Sequence, residues 1–198
     1  MSGIVGSYFN TRGSGVVAKL GTDGQVFTST GAGLSQGFEA AAGGGKILQV
    51  VNTIKTDTSL ISTSFADISG LSVAITPSDT SSKVYISCSV MCNGGRAAFL
   101  KLQRDIGGGG YADSAYIGDA GNLQIPCSFW TGAQDWNNIC GNIGYLDTTN
   151  TTSEVTYQLQ GLASNASYKL GINMHYDDPD TTGYGRAASS ITAYEIGA

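Results

Sequence analysis

Four cysteines, one histidine and a late run of aspartates are the side chains of this chain best suited to catalysis or metal binding. Cys88 and Cys92 fall in "KVYISCSVMC", where Val84, Ile86, Cys88, Val90 and Cys92 share one face of an extended strand. Two positions four apart on a strand lie on the order of 13 Å from each other, beyond the reach of a disulfide. Structural zinc wants cysteine pairs on a tight turn, which a strand does not supply. Cys88 and Cys92 therefore read as buried free thiols, while a Cys127–Cys140 bridge is left open by the sequence. His175, in "GINMHYDDPD", has no second imidazole to work with, and it alternates outward from the face carrying Leu170, Ile172 and Met174. A solvated or loop-packing role is expected for it. Asp177, Asp178 and Asp180 lack the regular spacing and trailing glutamate of a calcium loop. A turn around Pro179 and Gly183 accounts for the same residues, and metal binding by 177–183 stays an open question.

Other chemical motifs fail on context. "GGGG" (107–110) has no following lysine or helix start to cradle a phosphate. "RGSG" (12–15) lacks the strand–turn–helix setting of a nucleophile elbow. The three glutamates, Glu39, Glu154 and Glu195, stand apart from other acids, so paired carboxylates for glycoside cleavage are not evident. No enzyme activity, cofactor or catalytic residue is expected. The aromatics are more suggestive: Trp130 and Trp136 bracket the loop "WTGAQDW", and Tyr176 and Tyr184 flank the aspartates. Aromatic and amide side chains on loops at the end of a β-domain are ingredients of glycan or protein recognition. These four are the candidate partner- or glycan-binding residues. The competing reading makes the tryptophans plugs at the end of the core.

The elements that must position these residues are strands. From Lys46 onward, period-two runs rich in Val, Ile, Thr and Tyr alternate with clusters of Gly, Asp, Asn, Ser and Pro. Strands are predicted near 47–55, 62–67, 71–76, 83–92, 97–104, 123–130, 139–146, 154–160, 167–175 and 189–196. Leu71, Val73 and Ile75 point one way, as do Ala98, Leu100 and Leu102, then Val155, Tyr157 and Leu159. The intervening positions, Thr156, Gln158, Gln160, Lys169 and Asn173 among them, are polar. One dry face and one wet face per strand predicts two packed sheets. The expected class is all-β: a jelly-roll-like antiparallel β-sandwich over 46–198, preceded by an extended glycine-rich arm over 1–45.

Bulk numbers bound the partners. The 198 residues carry 41% apolar side chains, enough for a core, and a net charge of −5 with no basic run, which argues against nucleic acid. No apolar run approaches membrane-spanning length, and the first residues lack the cationic start and apolar stretch of a signal peptide. No membrane partner is expected.

The arm poses a separate question. It holds twelve glycines, each expensive to order. Its apolar residues, chiefly Ile4, Val5, Tyr8, Phe9, Val16, Val17, Leu20, Val26 and Phe27, are too sparse to build a core of their own. Main-chain pairing with neighbouring molecules is the expected supplement. These nine are the candidate assembly residues.

Two stretches carry a resemblance. "GTDGQVFTSTGAGLSQGFE" resembles a segment found near the start of many bacteriophage fibre and appendage proteins. "KTDTSLISTSFADISGLSVAITPSDTSSKVYIS", with "AAFLKLQRD", "IGYLDTTNTTSEVTYQLQ" and "GYGRAASSITAYEI", resembles a tail-fibre-like or head-decoration-like β-domain common in tailed phages, notably marine ones. The middle, 106–140, matches least. The resemblance implies a non-catalytic virion structural protein assembled in the host cytoplasm and exposed on the virion surface. A homotrimer is implied, bound through its arm to capsid or tail proteins as a fibre, spike or cement protein. A carbohydrate-binding module recognising a host-surface glycan ranks second, and a polysaccharide-cleaving spike third.

Overall fold

The computed structural model describes residues 8–10, 16–19, 25–28, 37–40, 46–132, 137–178 and 180–198. Ile4, Val5, Leu20 and Trp136, named above as candidates, lie outside the described residues. The chain divides into two units, Met1–Gly44 and Gly45–Ala198. In the first, β1 (Tyr8–Asn10) pairs with β2 (Val16–Lys19), and β3 (Gln25–Thr28) pairs with β4 (Gly37–Ala40), both antiparallel. Tyr8, Phe9, Val16, Val17, Val26 and Phe27 thus sit on strands. These strands satisfy part of their main-chain hydrogen bonding within the chain.

The second unit is an antiparallel β-sandwich. Its strands are β5 (Ile47–Lys55), β6 (Ser59–Ile61), β7 (Ala66–Ile75), β8 (Lys83–Gly94), β9 (Ala98–Ile106), β10 (Ala112–Asp113), β11 (Phe129–Thr131), β12 (Ile139–Thr148), β13 (Val155–Ala163), β14 (Leu170–Ile172) and β15 (Ser189–Ile196). Sheet I runs β10–β9–β13–β7, with β11 sharing the β10 side of β9. Sheet II runs β5–β15–β8–β12, with β14 and then β6 continuing beyond β15 along β8. Period-two alternation decides what goes inside. Leu71, Leu100, Leu102 and Leu159 from sheet I meet Val84, Ile86, Val90 and Ile191 from sheet II, all buried.

Three predicted strands are shorter or displaced. The 62–67 run is β6 at Ser59–Ile61 followed by the start of β7, and 123–130 is paired only at Phe129–Thr131. The 167–175 run joins the sheet only at Leu170–Ile172, and it stops there because the backbone turns into the left-handed region at Asn173 (φ 61). Asn173, expected on a wet face, is fully buried. In β7, Gly70 (φ 82) takes the left-handed conformation that glycine adopts without strain. Opposite it the β13 register slips between Gln158 and Gln160. The buried Lys55 side chain passes beside this glycine and donates to Asp57 at 2.8 Å.

One polar group ties the two sheets together. Asp147 on β12 is 1% exposed and accepts both contacts of Arg104 Nη1 on β9, at 2.6 and 2.7 Å. The hydroxyl of Tyr157 on β13 donates to the same carboxylate at 2.8 Å, and that of Tyr145 at 3.2 Å. Burial, then the Asp147 charge, pushes the Tyr157 phenol above its ordinary range, so it stays a donor.

Candidate functional surfaces

The 173–187 loop is shaped at its neck by one side chain. Asn173 Nδ2 donates to the carbonyls of Lys55 and Asp57, both at 2.9 Å, and Oδ1 accepts from Ser189 Oγ at 2.6 Å. Its backbone N–H bonds Met91 O at 2.8 Å, and its carbonyl accepts from Ala187 N at 3.0 Å. Both ends of the loop are pinned to one residue. A second buried amide, Asn93, spans the neighbouring segments: Nδ2 donates to Asn137 O at 2.8 Å and Oδ1 accepts from Tyr176 N at 3.3 Å.

Aromatic rings pack on this frame. Tyr176 lies 5.4 Å from Tyr168 and 4.4 Å from His175, and His175 lies 5.0 Å from Tyr184. Arg96 sits over Tyr168 at 5.8 Å. Gly95 permits the packing, since a Cβ there would fall 2.5 Å from the Tyr168 ring and 2.7 Å from that of Tyr176. His175 is 6% exposed, so of the two roles expected for it the structure shows loop packing and not solvation. The N–H of Asp177 donates to His175 Nδ1 at 3.2 Å. Two adjoining hollows, of about 150 and 200 Å³, open at His175, Tyr184 and Gly185. Asn137 and Asn138 line the first, and Asp178, Asp180 and Arg186 the second. Asp178 pairs with Arg186 at 2.7 Å.

Tyr176 and Tyr184 are thus brought together, and Trp130 is not. It stands on β11, 59% exposed, opposite Phe99, with no ring contact to that cluster among the described residues. That exposure rules out a core plug; its neighbour Phe129 packs inward instead. All four cysteines are free. Burial raises the thiols of Cys88 and Cys92 to about 12, whereas Cys140 is exposed.

A surface that single-strand reading missed lies on the outside of sheet II. Register places Val50 opposite Tyr194, Tyr194 opposite Tyr85, and Tyr85 opposite Leu146. These four form an apolar row across four strands. Val50 is 53% exposed, Tyr85 39% and Leu146 49%, and the Tyr85 and Tyr194 rings are 6.0 Å apart. Ile196 and Ile47 extend it on one side. Asn52, Thr192, Ser87 and Gly144 form the row on the other. Among the outward residues of these strands, Lys83 is the one charged side chain. The face ends at β5, whose other edge pairs with no described strand. Along its nine residues, "ILQVVNTIK", there is no proline, and its only charge, Lys55, points inward. Edges exposed to water are normally blunted by such groups.

Sheet order and surface together define an antiparallel β-sandwich protein with a broad, almost uncharged face suited to contact. No protein-family profile and no curated protein matches the sequence. Two solved virus structures are similar at low level. That of the infectious bursal disease virus Gx strain has a TM-score of 0.32 and 11% identity, over 94% of this chain and 50% of the other. The VP2 subviral particle of infectious bursal disease virus has a TM-score of 0.36 and 9% identity, over 87% and 46%. The chain therefore spans about half the length of each. The fold assignment stands on the strand pairing described above.

Proposed function

We propose that this protein is a structural component of a tailed-bacteriophage particle, an oligomeric surface or appendage protein that joins copies of itself through the outer face of sheet II. The observation that carries the reading is the Val50–Tyr194–Tyr85–Leu146 row beside the β5 edge that pairs with no described strand. Water-exposed apolar rows of this extent mark contact surfaces, and an open edge accepts a further strand. The occupant is a second copy of the chain. Each copy carries −5, so like copies repel in general. Approach through a face with one charged side chain avoids that repulsion. The resemblance to phage β-domains supports a homotrimer, with the arm, through residues such as Val26 and Phe27, fastening it to capsid or tail proteins.

Mass photometry of the full chain tests this. A trimer is expected at micromolar concentration, and Tyr85→Lys combined with Leu146→Lys, both at exposed positions, is expected to give monomer with an unchanged circular dichroism spectrum. A monomeric parent protein, or a double variant that keeps its assembly, overturns the reading. Counting copies of the chain in a density map of the virion separates cement from fibre.

A further inference from the structure

We propose that the cleft between Asn137 and Asn138 on one side and the 180–186 segment on the other binds one ring of a neutral saccharide. This goes beyond assembly and uses a surface separate from the sheet II row. Size comes first. The hollows, of about 150 and 200 Å³, adjoin at His175, Tyr184 and Gly185, and each has room for one small ring, so a ring seated at Tyr184 is within reach of both linings.

Chemistry narrows the class. Asp178 is neutralised by Arg186 at 2.7 Å, which leaves the carboxylate of Asp180 as the uncompensated charge of the lining. An anionic ligand such as a phosphate or acidic sugar meets net negative charge and is disfavoured. A polyol meets what it needs: a carboxylate acceptor at Asp180, a hydroxyl at Thr181, and the amides of Asn137 and Asn138. Tyr184 belongs to both hollows and supplies an aromatic ring, set by the edge-on contact with His175 at 5.0 Å. Gly183 and Gly185 flank it without side chains that would fill the opening. Asn93 anchors the Asn137 side of the cleft, and Asn173 fixes the neck from which the loop of the other side leaves the sheet.

Saturation-transfer NMR on the full chain, with neutral hexoses and N-acetylhexosamines against glucuronic and sialic acids, tests the assignment. At least one neutral sugar is expected to show saturable binding, weakened tenfold or more by Tyr184→Ala and by Asp180→Asn. Asp180 is exposed, so its variant folds even if the tyrosine variant does not. Trp130→Ala is expected to leave binding unchanged. Absence of binding by every neutral sugar, preference for the acidic ones, or loss on Trp130→Ala with retention in Asp180→Asn overturns the proposal. Mass photometry of the same samples reports assembly independently, so a failed assembly reading and a failed cleft are told apart.

Discussion

Removing the carboxylate of Asp147 probes the join between the two sheets most directly. Asp147→Ala takes away an acceptor that receives both contacts of Arg104 Nη1 and two tyrosine hydroxyls. Breaking a buried ion pair from one side costs roughly 3–5 kcal/mol. The Arg104 side chain is 32% exposed and recovers some hydration, which draws its share toward the low end. Tyr157 is fully buried and cannot recover any, so its stranded hydroxyl adds about 1–2 kcal/mol. The expected loss is about 4 kcal/mol, or roughly 8–16 °C in Tm for a chain of this size. Urea unfolding followed by tryptophan fluorescence and circular dichroism measures it. Tyr157→Phe alone is expected to cost about 1 kcal/mol, and next to nothing in the Asp147→Ala background, because its partner is already gone. A loss below 1 kcal/mol for Asp147→Ala, or an equal cost for Tyr157→Phe in both backgrounds, refutes the latch.

Two further outcomes follow from buried groups. Glu195 is 1% exposed; desolvation opposes its charge, but donors from Ser78 and Gln49, at 2.6 to 2.7 Å, win and hold its carboxyl down at about 2 from an ordinary 4.5. A carboxyl lowered on folding stabilises fully above about 4.5 and loses that contribution as pH falls toward about 2, so stability should decline across this window. Glu195→Gln should flatten that decline and cost about 1–3 kcal/mol at neutral pH by facing an amide N–H₂ toward donors; an unchanged pH profile contradicts the assignment. Alkylation read by peptide mass spectrometry should modify exposed Cys140 first and half-buried Cys127 more slowly. Cys88 and Cys92, buried with thiols near 12, should react only on unfolding, and labelling of Cys88 at the rate of Cys140 would count against the core described here.

Much of the sandwich was legible residue by residue. Period-two alternation in 71–75, 98–102 and 155–159 marked which side chains go inside, and β5 and β15 lie where Val, Ile and Thr cluster between turn signals. The face shared by Val84, Ile86, Cys88, Val90 and Cys92 was equally plain. Such patterns are properties of one strand, and a linear reading captures them. Other features depend on which strands become neighbours and in what register. The row of Val50, Tyr194, Tyr85 and Leu146 draws on four strands, and each member looks unremarkable in its own run. The Asp147 latch joins three strands across both sheets, and the left-handed turn at Asn173 ends an alternation that runs on to Met174 in the sequence. By itself the sequence determined strand identity and the dry face, because side-chain direction is local. Tertiary structure decided the exposed apolar face, the loop-end cleft and the buried polar links, because long-range pairing alone brings their parts within a few ångströms of one another.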